Sequence, residues 1–495
     1  MNPVPGDAAP SAQATVLRDV SWAAVWDPVR KRQTYAREVD IAFAGGRIVH
    51  AGPRYEAPPG QPVTEIDGRH RLVIPGLVDL HSHPHTEPAY KGIREDHGRA
   101  EMHGTGLYER SAAFRLSIEG RAAGAELAYG ELLRGGVTTV LDLSTPFEGW
   151  VELGARSGLR IYYAPGFASA RWVMRSLREI GFHWDEAAGR AAFERARTLI
   201  EEVDSHRSGR LSGVVFPAQI DTCTEALFRD AIAYAEETGR PITTHISQAV
   251  LEVEEMVRRH GMTPVAWAER IGLLGPRTIL GHALFTDSHR ATPREPAGDL
   301  RRIAESGATV AHCPSPFARY GAVLDHLGTY RDAGIRLGIG TDVAPHSLLE
   351  EMRLALVLAR VASESVEAVV TADVFHAATT GGADALGRED LGRIAVGAAA
   401  DLVIVDLRHP SMRPARDPVR TLVHEAAERA IEKVFVGGEL VVDASRVLTL
   451  DLDGAAERLE TAQLEMMSAV PQRDFLGRSA RELAPLSLPM TNTSR

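Results

Sequence analysis

The sequence predicts an α/β protein: a (β/α)8 TIM-type barrel with a small β-sandwich domain formed from both ends of the chain. Three observations predict this fold. Short apolar runs alternate with amphipathic stretches between about residues 72 and 345, both flanks carry strand-like segments broken by Gly and Pro, and histidines or an aspartate end several of the apolar runs. Strands that alternate with helical patterns are typical of parallel β/α units.

Eight β-branched, apolar runs have the composition of parallel strands that are buried on both faces. They are LVIPGLVDLH (72–81), GVTTVLDLS (136–144), LRIYYAPGF (159–167), LSGVVFPAQI (211–220), PITTHIS (241–247), TILGHALF (278–285), ATVAHCPS (308–315) and IRLGIGTD (335–342). The stretches between them, such as LEVEEMVRRHG, carry apolar residues at helical spacing. Eight such units in this order predict a barrel over 71–392, whose active site lies at the carboxyl ends of the strands.

The two flanks resemble each other in style. Residues 15–55 and 393–450 contain short apolar strands and turn-forming Gly and Pro, so we expect one composite small β-domain over 15–70 and 393–450. Residues 1–14 are predicted to be a disordered leader, and 451–495 a C-terminal helix and tail.

Composition excludes several classes of function. The chain has 495 residues, 44% hydrophobic and 24% charged, as in an ordinary globular protein. A net charge of −11 argues against a nucleic-acid partner, which needs a basic face. The chain has no apolar run of membrane-spanning length and no secretory signal, and its two cysteines are far apart. We therefore expect a cytoplasmic protein that acts on a small molecule, without a membrane partner.

Metal-ligating residue types end four of the predicted strands. His81 and His83 are two apart in a strand, so both imidazoles face the same side. His245, His282 and Asp342 end strands five, six and eight. Each residue alone is compatible with a hydrogen-bonded polar group of the core. Four strand ends on one rim, however, predict a metal centre, because such residues are costly to bury among apolar neighbours.

Several longer stretches resemble the amidohydrolase superfamily, in the branch that contains cytosine deaminase, guanine deaminase and the triazine hydrolases. They are VIPGLVDLHSHPH, GVTTVLDLS, HGMTPVAWAERIGLLGPRTILGHALF, VAHCPS, GIRLGIGTDVAPHSLLEEMRLA and GRIAVGAAADLVIVDL, spread over residues 36–450. The resemblance implies that one divalent ion, zinc foremost and Fe²⁺, Co²⁺ or Mn²⁺ as alternatives, is held by four ligands: His81, His83, His245 and Asp342. It also implies that His282 contacts the substrate or the metal-bound water, and that the chain forms a homo-oligomer.

Lysine usage decides the expected number of metal ions. Superfamily members with two metals usually bridge them with a carboxylated lysine at the end of strand four. The chain has only three lysines, Lys31, Lys91 and Lys433, and none lies in strand four. We therefore expect a mononuclear site.

The expected reaction is hydrolysis of a C–N bond other than a peptide bond. Asp342 is predicted to take a proton from the metal-activated water and return it to the leaving group, and His282 to orient the nucleophile or polarise the bond. Related deaminases carry HxxE where this chain has His245-Ile-Ser-Gln248, and glutamine has no proton to give. This departure favours amide-, urea- or carbamate-like bonds. The alternatives are a purine, pyrimidine or triazine deaminase, in which Glu87 replaces the missing acid, and a non-catalytic barrel scaffold.

The predicted substrate contacts come from several loops: Gln248, His282, Phe317, His346 and Glu87. After strand seven the related pattern HCPxSN is replaced by His312-Cys-Pro-Ser-Pro-Phe317, which predicts a less polar wall, although Phe317 is equally compatible with ordinary packing. His346 is compatible with a pocket wall or with a helix start. Glu87 lies in a long loop after strand one, of the size of an active-site lid.

Overall fold

The computed structural model describes residues 13–93, 98, 100–324 and 327–490. Most of the predicted leader, up to residue 12, and the last five positions of the predicted tail, 491–495, lie outside the described residues. None of the helices in the described part of the chain combines the length and the apolarity needed to span a bilayer.

The described residues form 23 strands, numbered in chain order. These are β1 Ala14–Val20, β2 Trp22–Asp27, β3 Arg32–Ala36, β4 Val39–Ala44, β5 Arg47–Gly52, β6 Val63–Asp67, β7 Arg71–Pro75, β8 Leu77–Ser82, β9 Val137–Asp142, β10 Arg160–Tyr163, β11 Gly166–Phe167, β12 Ala170–Met174, β13 Ile180–Trp184, β14 Leu211–Gly213, β15 Phe216–Pro217, β16 Ile242–Ile246, β17 Thr278–His282, β18 Thr309–His312, β19 Arg336–Ile339, β20 Leu402–Asp406, β21 Ile431–Val436, β22 Glu439–Asp443 and β23 Arg446–Val447.

The α-helices are numbered in the same way. They are α1 Leu107–Ala113, α2 Ile118–Arg134, α3 Trp150–Ser157, α4 Glu186–Asp204, α5 Glu225–Thr238, α6 Val250–His260, α7 Pro264–Arg270, α8 Asp299–Ser306, α9 Pro314–Ala318, α10 Leu327–Asp332, α11 Leu348–Ser363, α12 Thr371–His376, α13 Gly382–Ala385, α14 Pro418–Thr421, α15 Leu452–Ser468, α16 Val470–Arg473 and α17 Ala480–Leu483. Short 3-10 or π turns lie at Glu87–Tyr90, Ala100–Met102, Ala377–Gly381, Pro410–Met412, Leu422–Ala426 and Ala427–Ala430.

Eight parallel strands form the predicted barrel. They lie in two four-stranded sheets, ordered β14-β10-β9-β8 and β16-β17-β18-β19. Isolated parallel bridges join the sheets: Ser82 with Asp342 at one seam, and Val215 with Ile242 and Gln219 with His245 at the other. The first and last strands of the barrel therefore meet beside His81 and Asp342, so closing the barrel also brings two predicted metal ligands together.

The strand expected over 72–81 is divided in two. β7 pairs with β20 and β2, in the sheet built from the flanks, whereas β8 pairs with β9 in the barrel. Gly76 separates them, and a Cβ atom there would lie within 2.0–2.7 Å of the Thr138 side chain. The chain therefore passes from one sheet to the other at a point where only glycine fits, and the change from the flanking sheet to the barrel comes after Pro75 rather than at residue 70.

The two flanks form two sheets that contact one apolar cluster. The four-stranded sheet has the order β5-β4-β1-β6, and the seven-stranded sheet the order β23-β22-β21-β20-β7-β2-β3. The first sheet contributes Leu17 and Ile41 to the cluster, and the second contributes Val73, Leu402 and Phe435. Strands from both flanks are thus neighbours in the seven-stranded sheet.

The segment after residue 451 continues to pack beyond its predicted helix. α15 lies along α2, and Gly120 of α2 leaves room for Ala462, whose Cβ atom would be 2.8 Å from a Cβ atom on the glycine. Val470 and Ala480, in the region expected to be a tail, are buried in one cluster with residues 89, 90 and 114 of the loop after β8. The C-terminal helices therefore support the outer side of that loop.

A buried ion pair connects the barrel to the flanking sheet. The Arg160 guanidinium donates to both carboxylate oxygens of Asp401, at 2.8 and 3.2 Å, and both residues are buried. The Gly437 backbone N–H donates to the same carboxylate at 2.6 Å. Arg160 belongs to β10 of the barrel, and Asp401 immediately precedes β20.

We expect Asp401→Ala to lower the free energy of unfolding by about 3 kcal/mol, because it leaves the Arg160 charge buried without its partner. Urea denaturation followed by circular dichroism measures the change. Glu460→Ala, which removes an exposed carboxylate from α15, is the matched control, and its effect should stay within about 0.5 kcal/mol. Equal stability of the two variants would contradict the assigned role of the ion pair.

Candidate metal centre and active site

The predicted ligands meet at the carboxyl end of the barrel. His81 and His83 come from the end of β8, His245 from β16, and His282 is the last residue of β17. Asp342 follows β19, and its backbone N–H donates to the His81 carbonyl at 2.8 Å. In a parallel barrel all these strand ends share one rim, which is why residues 260 positions apart in sequence become neighbours.

The donor atoms are spaced as ligands of one ion. His83 Nε2 lies 3.1 Å from His245 Nε2 and 3.3 Å from Asp342 Oδ1. His81 Nε2 lies 3.5 Å from the same Asp342 oxygen. Two ligand atoms bound to a tetrahedral zinc ion, each about 2.1 Å from it, would be about 3.4 Å apart. The spacing therefore fits a common metal ion.

Unpartnered buried nitrogens support the same conclusion. Both ring nitrogens of His81 are buried and, among the described residues, have no hydrogen-bond partner. A buried polar atom without a partner is destabilising unless a ligand satisfies it. His81, His245 and His282 also offer donor atoms within 4.8 Å of one another, as do His81, His83 and Asp342. The donor set therefore fits a divalent metal, and His282 is near enough to contact the ion or its bound water.

Burial sets the charge state of the cluster. It lowers the pKa of His83 and His245, and that of His282 to about 3, so these imidazoles are neutral and keep a lone pair for a metal. Burial alone would raise the pKa of Asp342, but the adjacent imidazoles of His81 and His282 hold that pKa well below its usual range. Neutral imidazoles around one carboxylate are the charge states that divalent metal binding requires.

Glycines next to the ligands make the close approach possible. A Cβ atom on Gly281 would lie 2.8 Å from Cε1 of His81, and one on Gly340 would lie 2.6–2.8 Å from His81 backbone and Cβ atoms. Two residues that come shortly after these glycines have left-handed backbones, with φ of 77° at His282 and 57° at Asp342. Non-glycine residues rarely adopt this conformation, and it occurs preferentially at functional sites.

Asp79 holds the first and last ligand strands in register. Its carboxylate accepts the backbone N–H groups of His81 and Thr341, both at 3.1 Å, and the Thr341 hydroxyl at 2.7 Å. Burial raises the pKa of Asp79 to about 6. Asp79 thus fixes the backbone on both sides of the seam from which His81 and Asp342 project.

A cavity of about 350 Å³ opens over the cluster, a size that suits a small molecule. Seven of the predicted site residues line it: His83, His245, His282, Asp342, Gln248, Phe317 and Glu87. His81 is fully buried beneath the cavity. The Phe317 ring meets the His282 ring edge-on, with their centroids 4.9 Å apart, so Phe317 does form an apolar part of the wall.

His346 does not line the cavity, contrary to the pocket interpretation. It is fully buried behind the wall, where its Nδ1 atom lies 3.4 Å from Glu131 Oε2 of α2. The chain turns away from the cavity between Asp342 and the start of α11 at Leu348, which carries His346 out of reach. Its position matches the helix-start interpretation.

Gln248 contacts Gln219, a residue that was not predicted from the sequence. Its side-chain amide donates to Oε1 of Gln219, which follows β15 and lines the same cavity. The Glu252 carboxylate accepts the backbone N–H groups of Ser247 and Gln248, at 2.5 and 3.3 Å, and thereby fixes the turn after β16. Gln219 lies at the end of predicted strand four, where a metal-bridging lysine would lie in a two-metal site. That position on the strand could have indicated that Gln219 faces the cavity.

Four further lining residues were not predicted. His85 is buried in the cavity wall, and Arg110, Arg115 and Arg121 also line it. The arginines lie in and after the long loop, where no sequence pattern predicts that they face the carboxyl-terminal rim of the barrel. Only the folded loop brings them to the cavity.

Comparison with known proteins agrees with these features. The model of the amidohydrolase family matches residues 72–441. The chain belongs to the amidohydrolase family. It is 30% identical over 408 residues to a 5-methylthioadenosine/S-adenosylhomocysteine deaminase of Natronomonas pharaonis, covering 81% of this chain and 89% of that protein. It is 29% identical to a 5'-deoxyadenosine deaminase of Methanothermobacter thermautotrophicus, over 82% and 90% of the two chains.

Solved structures share the fold. An adenosine deaminase from Xanthomonas campestris with bound zinc superposes with a TM-score of 0.78 at 22% identity, over 93% of this chain and 100% of the other. An atrazine chlorohydrolase from Arthrobacter aurescens complexed with zinc gives a TM-score of 0.77 at 24% identity, over 91% and 100%. The predicted barrel and the predicted superfamily are therefore confirmed, and the protein is a metal-dependent hydrolase of C–N bonds other than peptide bonds.

We expect His245→Ala to reduce the bound divalent metal to well below one ion per chain and to abolish turnover, because one of the four donors is lost. His282→Asn should retain metal but lose activity if His282 serves the substrate or the nucleophile. Inductively coupled plasma mass spectrometry of the purified variants measures the metal content, and an activity assay measures the turnover. His183→Ala, which changes an exposed histidine of β13, is the control. Full metal content in His245→Ala would contradict the ligand assignment.

Glu351 of α11 provides a pH-dependent support for the Phe317 wall. Its carboxyl group accepts the backbone N–H of Ser315 in α9 at 3.0 Å, and burial raises its pKa from about 4.5 to about 8. The folded protein therefore holds a proton that the unfolded chain releases above about pH 4.5. The stability due to neutral Glu351 is complete below that pH and is lost as the pH rises to about 8.

We expect Glu351→Gln, which keeps the neutral form, to gain stability relative to the natural protein by up to about 1.4 kcal/mol per pH unit between pH 5 and 8. The difference should level off above pH 9. Urea denaturation at a series of pH values measures it. If the free energy of unfolding of the two proteins changes in parallel with pH, the raised pKa assigned to Glu351 is contradicted.

Proposed function

We propose that the protein uses one zinc ion to hydrolyse an amide-like C–N bond of a small molecule, such as a urea, carbamate or thiocarbamate. The observation that carries this proposal is Gln248: the cavity wall next to His245 offers an amide, hydrogen-bonded to Gln219, where a related deaminase would offer an acid. A substrate processed here must have a leaving group that departs without a proton from this position.

The donor set favours zinc and a single ion. Three imidazoles with one carboxylate suit zinc, although iron, cobalt and manganese tolerate the same donors. Zinc is also the ion bound in the similar adenosine deaminase and atrazine chlorohydrolase structures. At the end of strand four Gln219 lines the cavity, and a neutral amide cannot bridge two metals as a carboxylated lysine does.

The chain's own groups can move the protons of such a reaction. A zinc ion held by His81, His83, His245 and Asp342 would lower the pKa of a coordinated water to about 7. Asp342, ionised and at the cavity surface, accepts the proton that this water loses and returns it to the departing nitrogen. Neutral His282 hydrogen-bonds the attacking water or the polarised oxygen of the substrate.

A second function, deamination of an amino-substituted heterocycle, is favoured by Glu87. This residue is buried in the cavity wall, and its charge acts on His83, whose pKa burial lowers and Glu87 partly restores. Glu87 therefore faces the same cavity as the cluster, where an acid can protonate a ring nitrogen in place of the absent glutamate. The two relatives named above are deaminases of adenine-containing compounds.

Two substitutions separate these functions. If Gln248 sets the chemistry, Gln248→Glu should raise deamination of an aminotriazine or aminopurine at least about tenfold and lower hydrolysis of a phenylurea, because an acid now faces the cavity. Gln219→Glu, which adds the same group beside it, is the matched control and should gain nothing. Ammonia and aniline release from a panel of both substrate types measures the outcome.

The second function predicts the reverse pattern. The natural protein would release ammonia from the heterocycles, Glu87→Gln would lose that activity at least about a hundredfold, and no urea or carbamate would be hydrolysed. That pattern would overturn the amide-like substrate class and leave the metal-dependent hydrolysis intact.

A further inference from the structure

Three guanidinium groups share the cavity with the metal cluster. Arg110 lies in α1, Arg115 between α1 and α2, and Arg121 in the first turns of α2, and all three line the cavity. Arg110 lies over the Tyr90 ring, its Cζ atom 5.2 Å from the ring centroid. Arg115 is exposed at the rim and Arg121 is half-buried. The wall formed by the loop after β8 is therefore cationic.

Arg115 and Arg121 face no carboxylate among the residues that the structure describes. Among the described residues no Asp or Glu oxygen lies within ion-pair distance of either guanidinium, and Arg115 donates only to the Ser111 carbonyl, at 3.4 Å. Other arginines around α2 are paired: Arg156 and Arg458 both donate to Glu126, at 3.2 and 2.8 Å. Within the described part of the chain, two charges at the cavity thus have no acidic partner.

Neighbouring arginines increase the positive potential. Burial together with the charges of Arg171 and Arg473 lowers the pKa of Arg115. The Arg473 guanidinium also donates to the Arg115 carbonyl at 2.7 Å, so α16 holds this part of the rim. The only acidic residues that line the cavity, among the described ones, are Glu87 and Asp342, and the imidazoles surround Asp342. Such a concentration of positive charge stands out in a chain of net charge −11.

We propose that the cavity selects substrates that carry an oxyanion, a carboxylate or a phosphate, bound by Arg115 and Arg121 while the scissile C–N bond lies at the metal cluster. A guanidinium binds either oxyanion with two parallel hydrogen bonds, which fixes orientation as well as position. The cationic rim also attracts an anionic substrate that the acidic surface elsewhere repels. The inference rests on the proposed function only for the place of the scissile bond.

Calorimetric titration of inorganic phosphate and of malonate into the zinc-loaded protein tests the anion site without turnover. We expect Arg121→Gln and Arg115→Gln each to weaken binding at least about tenfold, and Arg121→Lys to retain part of it. Arg134→Gln, an exposed arginine of the same helix outside the cavity, should bind as the natural protein does. The tighter of the two ligands identifies the preferred oxyanion. Equal affinities in all these proteins, as direct binding to the metal would give, would falsify the proposal.

Paired substrates test the consequence for specificity. We expect a higher kcat/KM for N-carbamoylglycine than for N-carbamoylglycinamide, and for S-adenosylhomocysteine than for 5'-methylthioadenosine, whichever pair is hydrolysed. In Arg121→Gln the preference should vanish through a raised KM for the carboxylate member alone. An unchanged preference contradicts the proposal. If neither pair is hydrolysed, the titrations alone decide the oxyanion site, and the substrate panel described above decides the substrate class.

Discussion

The candidate active site depends on the burial of several imidazoles, away from water, around the single carboxylate of Asp342. Burial keeps His83, His245 and His282 neutral, and the neighbouring imidazoles of His81, His282 and His83 keep Asp342 ionised. Close approach of these groups needs Gly281 and Gly340 beside His81 and left-handed backbones at His282 and Asp342. The protein thus holds unsatisfied nitrogens at high free energy, and binding of a divalent ion relieves that strain.

Much of the metal centre could be predicted from the sequence because strand geometry is local and barrel topology is general. The alternation of His81 and His83 places both rings on one side of β8, and parallel strands bring the ends of β16, β17 and β19 to the same rim. The division of 72–81 into β7 and β8 could not be predicted, since an apolar run has the same composition in either sheet. Nor could the turn that carries His346 away from the cavity.

The substrate wall was less predictable because it is assembled by tertiary contacts. Gln219 contacts Gln248 from a different strand end. The arginines reach the cavity from a loop region whose sequence pattern does not predict which way their side chains point. Local sequence patterns therefore predicted the candidate metal ligands, whereas the residues of the cavity wall became apparent only in the folded structure. In the reaction we propose, the paired glutamines and the cationic wall recognise the substrate, whereas Asp342 and His282 handle the proton transfers.

The composite architecture also has a consequence for synthesis on the ribosome. β2 and β7 emerge more than 300 residues before β20, the strand that completes their sheet. The outer side of the loop after β8 stays uncovered until α15 to α17 have been made. Contacts between such distant parts of a chain form slowly, and the apolar faces that await them are prone to aggregation. The ends of the chain therefore leave apolar surface uncovered during translation until the last strands and helices have been made.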